Sequence, residues 1–585
     1  MNYRLNTRDD NAANEPIWTA LGRLLPLMAG EGRNVALALA AILITSATTL
    51  TAPLIIGHIV DSFIATGDYV GLFTWSGLLL GVFLVGLVTS YVQTRTMGGV
   101  GRRILFNLRN AIFTKLQELP VAFFNQNRSG DLISRINNDT DKLNQFFAQA
   151  LMQFLGNAFL IVGAGILLLV LDIRLGAVAL VPAVLVLIAT QLIAGWVKRA
   201  SFKSLQTLGS LSGEIQESLA NFKVILAFNR ADYFRDKFAA ANDANYSASI
   251  KAGVASNVFT PLYGLASNLG QLVVIAYGIV LIGSGELTVG LLIGFLLYVT
   301  SFYTPLRQLA TIWSSLQLAL AGLDRISEVL ALSSDLVALP AEPARPGPLL
   351  TFEDVSFRYP DGKDVLKQVS FALERGKTYA FIGPTGGGKT TTASLMARLY
   401  DPTQGRVTLG GADIRSLSSE ARAERIGFIL QEPFLFTGTV RDNIRYGSRA
   451  IAALSDDELK AQLDTAGLAG LLSRFDQGLD TPVASAGDAM SLGQKQLIAF
   501  IRAAMRRPDL LILDEATANI DTVTEQLLGT ILAQLPPTTT KVVIAHRLNT
   551  IDNADEIFFV NGGSVVAAGS MERAVSMLMN GVSAS

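Results

Sequence analysis

An all-α transmembrane domain of six long helices, followed by an α/β P-loop domain, is the fold class predicted for this 585-residue chain. Three observations carry that prediction. Half of the residues are hydrophobic and only 16% are charged, with a mean hydropathy of +0.40, whereas soluble domains carry about 25% charge. Six long apolar stretches cluster in the first half of the chain. In the second half, a Gly-rich loop sits between an apolar strand pattern and a helix pattern.

Taken in order, the first sixteen residues (MNYRLNTRDDNAANEP) are polar and carry acids, without the basic start and short apolar core of a cleavable signal. They read as a cytoplasmic tail. Residues 16–30 place Trp18, Leu21, Leu24 and Leu25 on one helical face. A helix lying along the membrane surface and a helix packed on protein are both open readings of that stripe. Apolar stretches follow at 34–60, 71–94, 147–171, 174–197, 252–283 and 287–312, each long enough for the roughly 20 residues that cross a bilayer core. The third and fourth are separated only by Leu171, Asp172, Ile173 and Arg174, which predicts a tight hairpin.

The segments after the second and fourth spans are long and basic. They hold Arg102, Arg103, Arg109, Lys115, Arg128 and Arg135, then Lys198, Arg199 and Lys203. The remaining loops are short and carry Asp61, Asp68 and Glu286. The long segments and both termini are therefore assigned to the cytoplasm. Both segments keep a helical pattern, with turns expected around Asn125–Gly130 and Leu208–Ser212. Prolines and lost periodicity over 331–350 mark a linker. The expected domains are thus a tail and surface helix (1–33), a transmembrane domain (34–330), the linker (331–350), and the α/β domain (351–585). A net charge of −1 gives no field for a nucleic-acid partner, and the absence of cysteine excludes disulfides, cysteine-ligated metals and a thiol nucleophile.

The strongest motif runs Gly383, Pro384, Thr385, Gly386, Gly387, Gly388, Lys389, Thr390, with Thr391 next. Glycines let backbone N–H groups curl round phosphates, and a following helix N-terminus adds positive potential. Lys389 neutralises phosphate charge and Thr390 offers a hydroxyl to Mg²⁺. The second motif is a buried-strand pattern, Leu510 to Leu513, ending in Asp514 and Glu515. Asp514 is placed to hold Mg²⁺ through water, and Glu515 to act as general base on an attacking water.

On these residues the chain resembles the ATP-binding cassette exporters built from six-helix half-transporters, over nearly its whole length. The resemblance implies ATP and Mg²⁺ as ligands and an integral protein of the bacterial cell membrane. It also implies adenine stacking on Tyr359, a γ-phosphate contact from His546, and a role for Gln431 linking Mg²⁺ and the attacking water to the membrane domain. Residues 123–140 and 213–230 resemble the two coupling segments, the second of which reaches a partner chain's cassette in this family. Asp521 falls in the loop after the catalytic strand, here Ala518, Asn519, Ile520, Asp521.

Departures from the family pattern concentrate where one chain covers the other's nucleotide. The signature, usually Leu-Ser-Gly-Gly-Gln, is Met490, Ser491, Leu492, Gly493, Gln494. Leucine in place of the first glycine adds bulk and is expected to restrict backbone angles. Upstream, the usual cross-subunit glutamate is replaced by Ser485. Intact Glu515 and His546 beside a damaged signature resemble one subunit of the asymmetric heterodimeric exporters. A homodimer tolerating the variant stays open, as does an ATP-gated channel or regulatory module. The expected cargo is a drug-like amphipath or a lipid, because charged residues within the spans are nearly absent. Asn157, Gln191, Asn268, Gln271, Tyr263, Phe302 and Tyr303 are the candidate cavity or packing residues. His58, in the first span, is read as packed or pore-facing.

Overall fold

The computed structural model describes residues 2–5, 25–64, 66–343, 345–360, 362–431, 433–446, 448–484, 490–514, 522–544, 554–569 and 571–580. The surface-helix stripe at 16–30 lies largely outside them. The chain forms two compact units. One comprises Asn6–Gln117 and Gly130–Ala331; the other comprises Met1–Leu5, Glu118–Ser129 and Leu332–Ser585.

The first unit is helical. Its long helices are α1 (Gly32–Ile64), α2 (Tyr69–Glu118), α3 (Ser129–Leu171), α4 (Ile173–Ala220), α5 (Ala231–Gly283) and α6 (Val289–Ala331). Among the described residues these six are long and apolar enough to cross a membrane. None of the most apolar eighteen residues of α2 is buried within the chain. Leu80, Phe83, Leu87 and Val88 stand exposed there, and water is an unfavourable neighbour for such a face. The α3–α4 turn falls on Asp172, whose Oδ1 accepts from the backbone N–H groups of Arg174 and Leu175, each at 2.9 Å.

Small residues let the helices approach closely, as expected where lipid gives no hydrophobic drive for association. A Cβ added at Gly57 of α1 would lie 2.8 Å from the Gly290 carbonyl oxygen of α6. Tyr263 and Tyr303 are buried in the core of this unit, and the Tyr303 hydroxyl donates to the Ala179 carbonyl at 2.9 Å. Both are therefore packing residues. Asn157 is buried as well, Gln191 and Asn268 are exposed, and Gln271 donates to Thr300 at 3.1 Å. His58 is exposed, packing edge-on against Trp75 and near Ser62.

One expected turn is corrected. Helix α4 runs unbroken through Leu208–Ser212, and the chain instead reverses over Asn221–Arg230 around the short helix Phe222–Ala227. Gly209 and two serines cost helix propensity only modestly, and Leu211 is buried. Ser204 facing Ser249 at 3.3 Å, and Thr207 facing Asn245 at 3.4 Å, fix the α4–α5 register that centres the reversal there.

The second unit is α/β. Its strands are β1 (Leu350–Arg358), β2 (Asp364–Leu373), β3 (Thr378–Ile382), β4 (Gln404–Leu409), β5 (Ala412–Asp413), β6 (Ile426–Ile429), β7 (Gly438–Thr439), β8 (Pro482–Val483), β9 (Leu510–Asp514), β10 (Thr540–Ile544), β11 (Glu556–Asn561) and β12 (Ser564–Ala567). An antiparallel sheet runs β2-β1-β4-β5, and a six-stranded sheet runs β12-β11-β3-β10-β9-β6. Strands β11, β3, β10, β9 and β6 are mutually parallel. Two helices matter for the site: α7 (Lys389–Met396) and α8 (Leu492–Met505). Among its described residues, the segment between α6 and β1 has no helix or strand but is tied down. Val337 N–H donates to Asp401 at 2.9 Å, and Arg398 donates to the Val337 carbonyl at 2.7 Å.

Candidate nucleotide site

The parallel strands set the site. In-register pairing aligns Phe381 with Ile544, Ile544 with Asp514, and Leu513 with Ile429. The C-terminal ends of β3, β10, β9 and β6 therefore form one row along a sheet edge, where open α/β sheets bind ligands. From that row the chain runs into the Gly383–Gly388 loop, His546, Asp514 with Glu515, and Gln431. Gln431 is exposed, two residues beyond β6. Glu515, His546, Asp521 and Ser485 lie outside the described residues.

The loop after β3 depends on its glycines. Gly383 has φ +147° and Gly388 φ +114°, and a Cβ at Gly383 would lie 2.0 Å from the Val560 carbonyl oxygen. Helix α7 begins at Lys389 with no side-chain cap, so its first N–H groups remain available to an anion. The buried Lys389 ammonium donates to the Gly383 carbonyl at 2.8 Å and the Pro384 carbonyl at 3.0 Å. That places a cation inside the concave loop formed with Thr385, Gly386 and Gly387. The Thr390 hydroxyl lies 3.4 Å from the Asp514 carboxylate. A hydroxyl beside a carboxylate is an oxygen donor set suited to a hard divalent cation.

Tyr359, just past β1, is half-buried and shares a 3.0 Å hydrogen bond with the Thr391 hydroxyl on α7. Tyr400 packs edge-on against its ring, at 5.4 Å between centroids. Asn125, in the short helix Val121–Gln126, donates to the Tyr400 hydroxyl at 2.8 Å. Burial pushes the Tyr400 hydroxyl pKa up, and the Asn125 hydrogen bond offsets part of that rise. Sequence reasoning missed Tyr400, because nothing local pairs residues 275 positions apart. It also missed Tyr3. That side chain is buried, accepts from Asp335 N–H at 2.7 Å and donates to the Ser333 carbonyl at 3.2 Å. Tyr3 N–H donates to Gln126 at 2.8 Å and Leu5 N–H to Asn127 at 3.0 Å. Residues 2–5 are thus a strap joining the Val121–Gln126 helix to the segment after α6, not a free tail.

The signature residues begin α8. Ser491 Oγ accepts from Gln494 N–H at 3.2 Å, and Gln494 Oε1 accepts from Ser491 N–H at 3.1 Å. Gln494 also donates to the Arg474 carbonyl at 3.1 Å. Leu492 is the first helical residue and Gly493 the second, and neither has a positive φ. The expected backbone restriction at Leu492 is therefore not the issue, since any L-residue adopts a helical start. What leucine adds at this position is side-chain bulk.

Comparison with known proteins agrees with this geometry. The family model described as the ABC transporter transmembrane region matches residues 35–306, and that described as ABC transporter matches 366–518. An uncharacterized ABC transporter ATP-binding protein of Bacillus subtilis is 33% identical, over 98% of this chain and 93% of the relative. A fatty acid ABC transporter ATP-binding/permease protein of Mycobacterium bovis is 32% identical, over 84% of this chain and 78% of the relative. A multidrug resistance ABC transporter ATP-binding and permease protein of Lactococcus lactis is 30% identical, over 85% and 84%. The chain thus belongs to the ABC transporter family, as an integral membrane, six-helix exporter half-transporter whose second domain is an ATP-binding ATPase.

Proposed function

We propose that this chain exports hydrophobic or amphipathic compounds, drug-like molecules or lipids, as one half of a dimer whose other half is a different chain. The observation that carries the reading is a row of strand ends with Lys389, Thr390, Asp514 and Gln431 on or just after it in one unit, in a chain whose other unit has exposed apolar helices. The relatives named for fatty acid transport and multidrug resistance support an amphipathic cargo. The bacterial cell membrane, with the nucleotide-binding unit and the N-terminus in the cytoplasm, fits the basic extensions of α2 and α4.

Each unit also displays apolar surface that suits a second chain. Phe222 and Phe228 stand exposed at the α4–α5 reversal, and Phe434, Phe436 and Tyr446 cluster around Arg502 on the nucleotide-binding unit. The partner's corresponding surfaces would cover both.

Bound Mg²⁺ would neutralise phosphate charge between Thr390, Asp514 and Gln431. Lys389, its ammonium held within the loop, meets phosphate oxygen there. Tyr359 stacks on the adenine, and the α7 N–H groups hold the phosphates. Glu515 accepts a proton from the attacking water, while His546 contacts the γ-phosphate. Ser491, Gly493 and Gln494 face the nucleotide held by the partner, and the family pattern gives Asp521 a role in the same contact. Closure of two such units on ATP, relayed through Val121–Gln126 and Phe222–Ala227, would turn the membrane helices outward. Cargo affinity must differ between the two states for this to pump.

Leu492 and Ser485 favour the heterodimer, because a partner with an intact signature would complete the site built on Lys389, Glu515 and His546. The homodimer retains one argument, the unstrained helical backbone at Leu492. Purification of the chain expressed alone separates them. The heterodimer predicts weak ATPase activity without cargo stimulation; a stable homodimer with full cargo-stimulated turnover contradicts it.

A further inference from the structure

A cavity of about 420 Å³ opens between α4 and α5, walled by Trp196, Arg199 and Lys203 on one helix and Ile250, Lys251 and Val254 on the other. Arg199 and Lys203 are one turn apart and share a face. The apolar stretch of α4 ends just before Lys198, and that of α5 begins just after Lys251. Because the two helices are antiparallel, with Ser204 opposite Ser249, these boundaries coincide. The cations therefore line the cavity over about one helical turn at the edge of the membrane-spanning region, Arg199 level with Val254 and Lys203 level with Ile250, with Trp196 on the apolar side. Trp196, Ile250 and Val254 are exposed beside them.

Among the described residues, none of the three cations has a carboxylate partner; Lys203 donates only to Gln206, at 3.2 Å. The contrast with α3 is plain, since Arg135 and Lys142 there are each paired with an acid. Three uncompensated cations beside an apolar wall call for a ligand that is anionic at one end and apolar along its length. Tryptophan at headgroup level is the usual neighbour of such a ligand, and basic pockets between membrane helices hold acidic headgroups.

We propose that this cavity binds an anionic phospholipid of the cytoplasmic leaflet, its phosphate on Arg199, Lys203 and Lys251 and an acyl chain along Trp196 and Val254. The choice of the cytoplasmic leaflet rests on the orientation proposed above; the headgroup chemistry does not.

Native mass spectrometry of the purified full-length assembly tests it, with phosphatidylglycerol and phosphatidylcholine added at equal concentration. Phosphatidylglycerol should bind a first site about tenfold more tightly. Each of Arg199→Gln, Lys203→Gln and Lys251→Gln should weaken it roughly fivefold, and the triple variant should lose the preference. Arg102→Gln, an exposed cation on α2, should leave it unchanged. Equal retention of the two lipids by the wild-type assembly would overturn the proposal. So would a preference that survives in the triple variant, or one present in the lone chain but absent once the partner covers this face. sn-Glycerol 3-phosphate at the lipid's own concentration should not displace it; displacement would show that a free phosphate suffices and overturn the lipid as ligand. Folding is monitored through ATP binding, and the single variants carry the test if the triple variant fails to fold.

Discussion

At the scale of single residues, the ATP recognition proposed here divides between a cation and a ring. Lys389 is held inside its loop by two carbonyls, so the cation is positioned before the nucleotide arrives. Tyr359 is braced from two sides, by Thr391 through its hydroxyl and by Tyr400 against its ring. Stacking needs only the ring, whereas the hydrogen bond sets its angle. Tyr359→Ala is therefore expected to weaken ATP binding about tenfold or more, as loss of base stacking costs roughly 1–3 kcal/mol. Tyr359→Phe should stay within about fivefold of wild type, since one neutral hydrogen bond contributes about 1 kcal/mol. Titration with a fluorescent ATP analogue checks both; equal losses would mean that the ring does not stack. The glycine loop was legible in the sequence because its spacing is local, whereas Tyr359 was singled out only by the resemblance to the family. Tyr400 and Asn125 were not, because only the folded chain brings them together.

At the scale of elements, α3 shows how much the sequence left hidden. Arg135 reads as one basic residue of a solvated segment, yet it is buried at 1% exposure. Its Nε donates to Asp131 at 3.0 Å, and Nη1 donates to Glu328 of α6 at 2.7 Å and to the Arg325 carbonyl. Arg325 also pairs with Asp131 and with the fully buried Asp139. A π-turn over Arg135–Asp139 inserts one residue into the helix where both charged side chains meet α6. No periodic pattern announces such a network, whose partners lie 190 residues and more apart. Arg135→Ala removes the buried guanidinium that bridges Asp131 and Glu328 and is expected to destabilise the protein by about 3 kcal/mol or more. Arg135→Lys should rescue little of that, because an ammonium cannot reproduce the fork of a guanidinium. The thermal midpoint of the purified protein reads both; a lysine variant matching wild type would show that only charge matters there. The six spans, by contrast, were readable from composition alone, and so was the Asp172 hairpin. The second reversal was misplaced because a glycine and two serines resemble a turn where the helix in fact continues.

At the scale of the whole molecule, the two units hold complementary halves of one activity. The nucleotide-binding unit presents a phosphate loop and a Ser491–Gln494 signature on separate elements, and the family pattern brings each to a different nucleotide. The membrane unit exposes apolar helices and, at α4 and α5, a cationic cavity. Energy from ATP is useful only if closure of the nucleotide-binding unit biases the membrane unit, and Val121–Gln126 and Phe222–Ala227 are the segments proposed for that task. The central claim is hydrolysis-driven pumping, and transport in sealed inside-out vesicles containing the assembled transporter tests it most directly. An amphipathic fluorescent probe should accumulate against its gradient with ATP in the wild type. The same vesicles carrying Glu515→Gln should bind ATP and accumulate none. Passive equilibration of the probe on ATP addition, or accumulation by Glu515→Gln equal to wild type, would contradict the account.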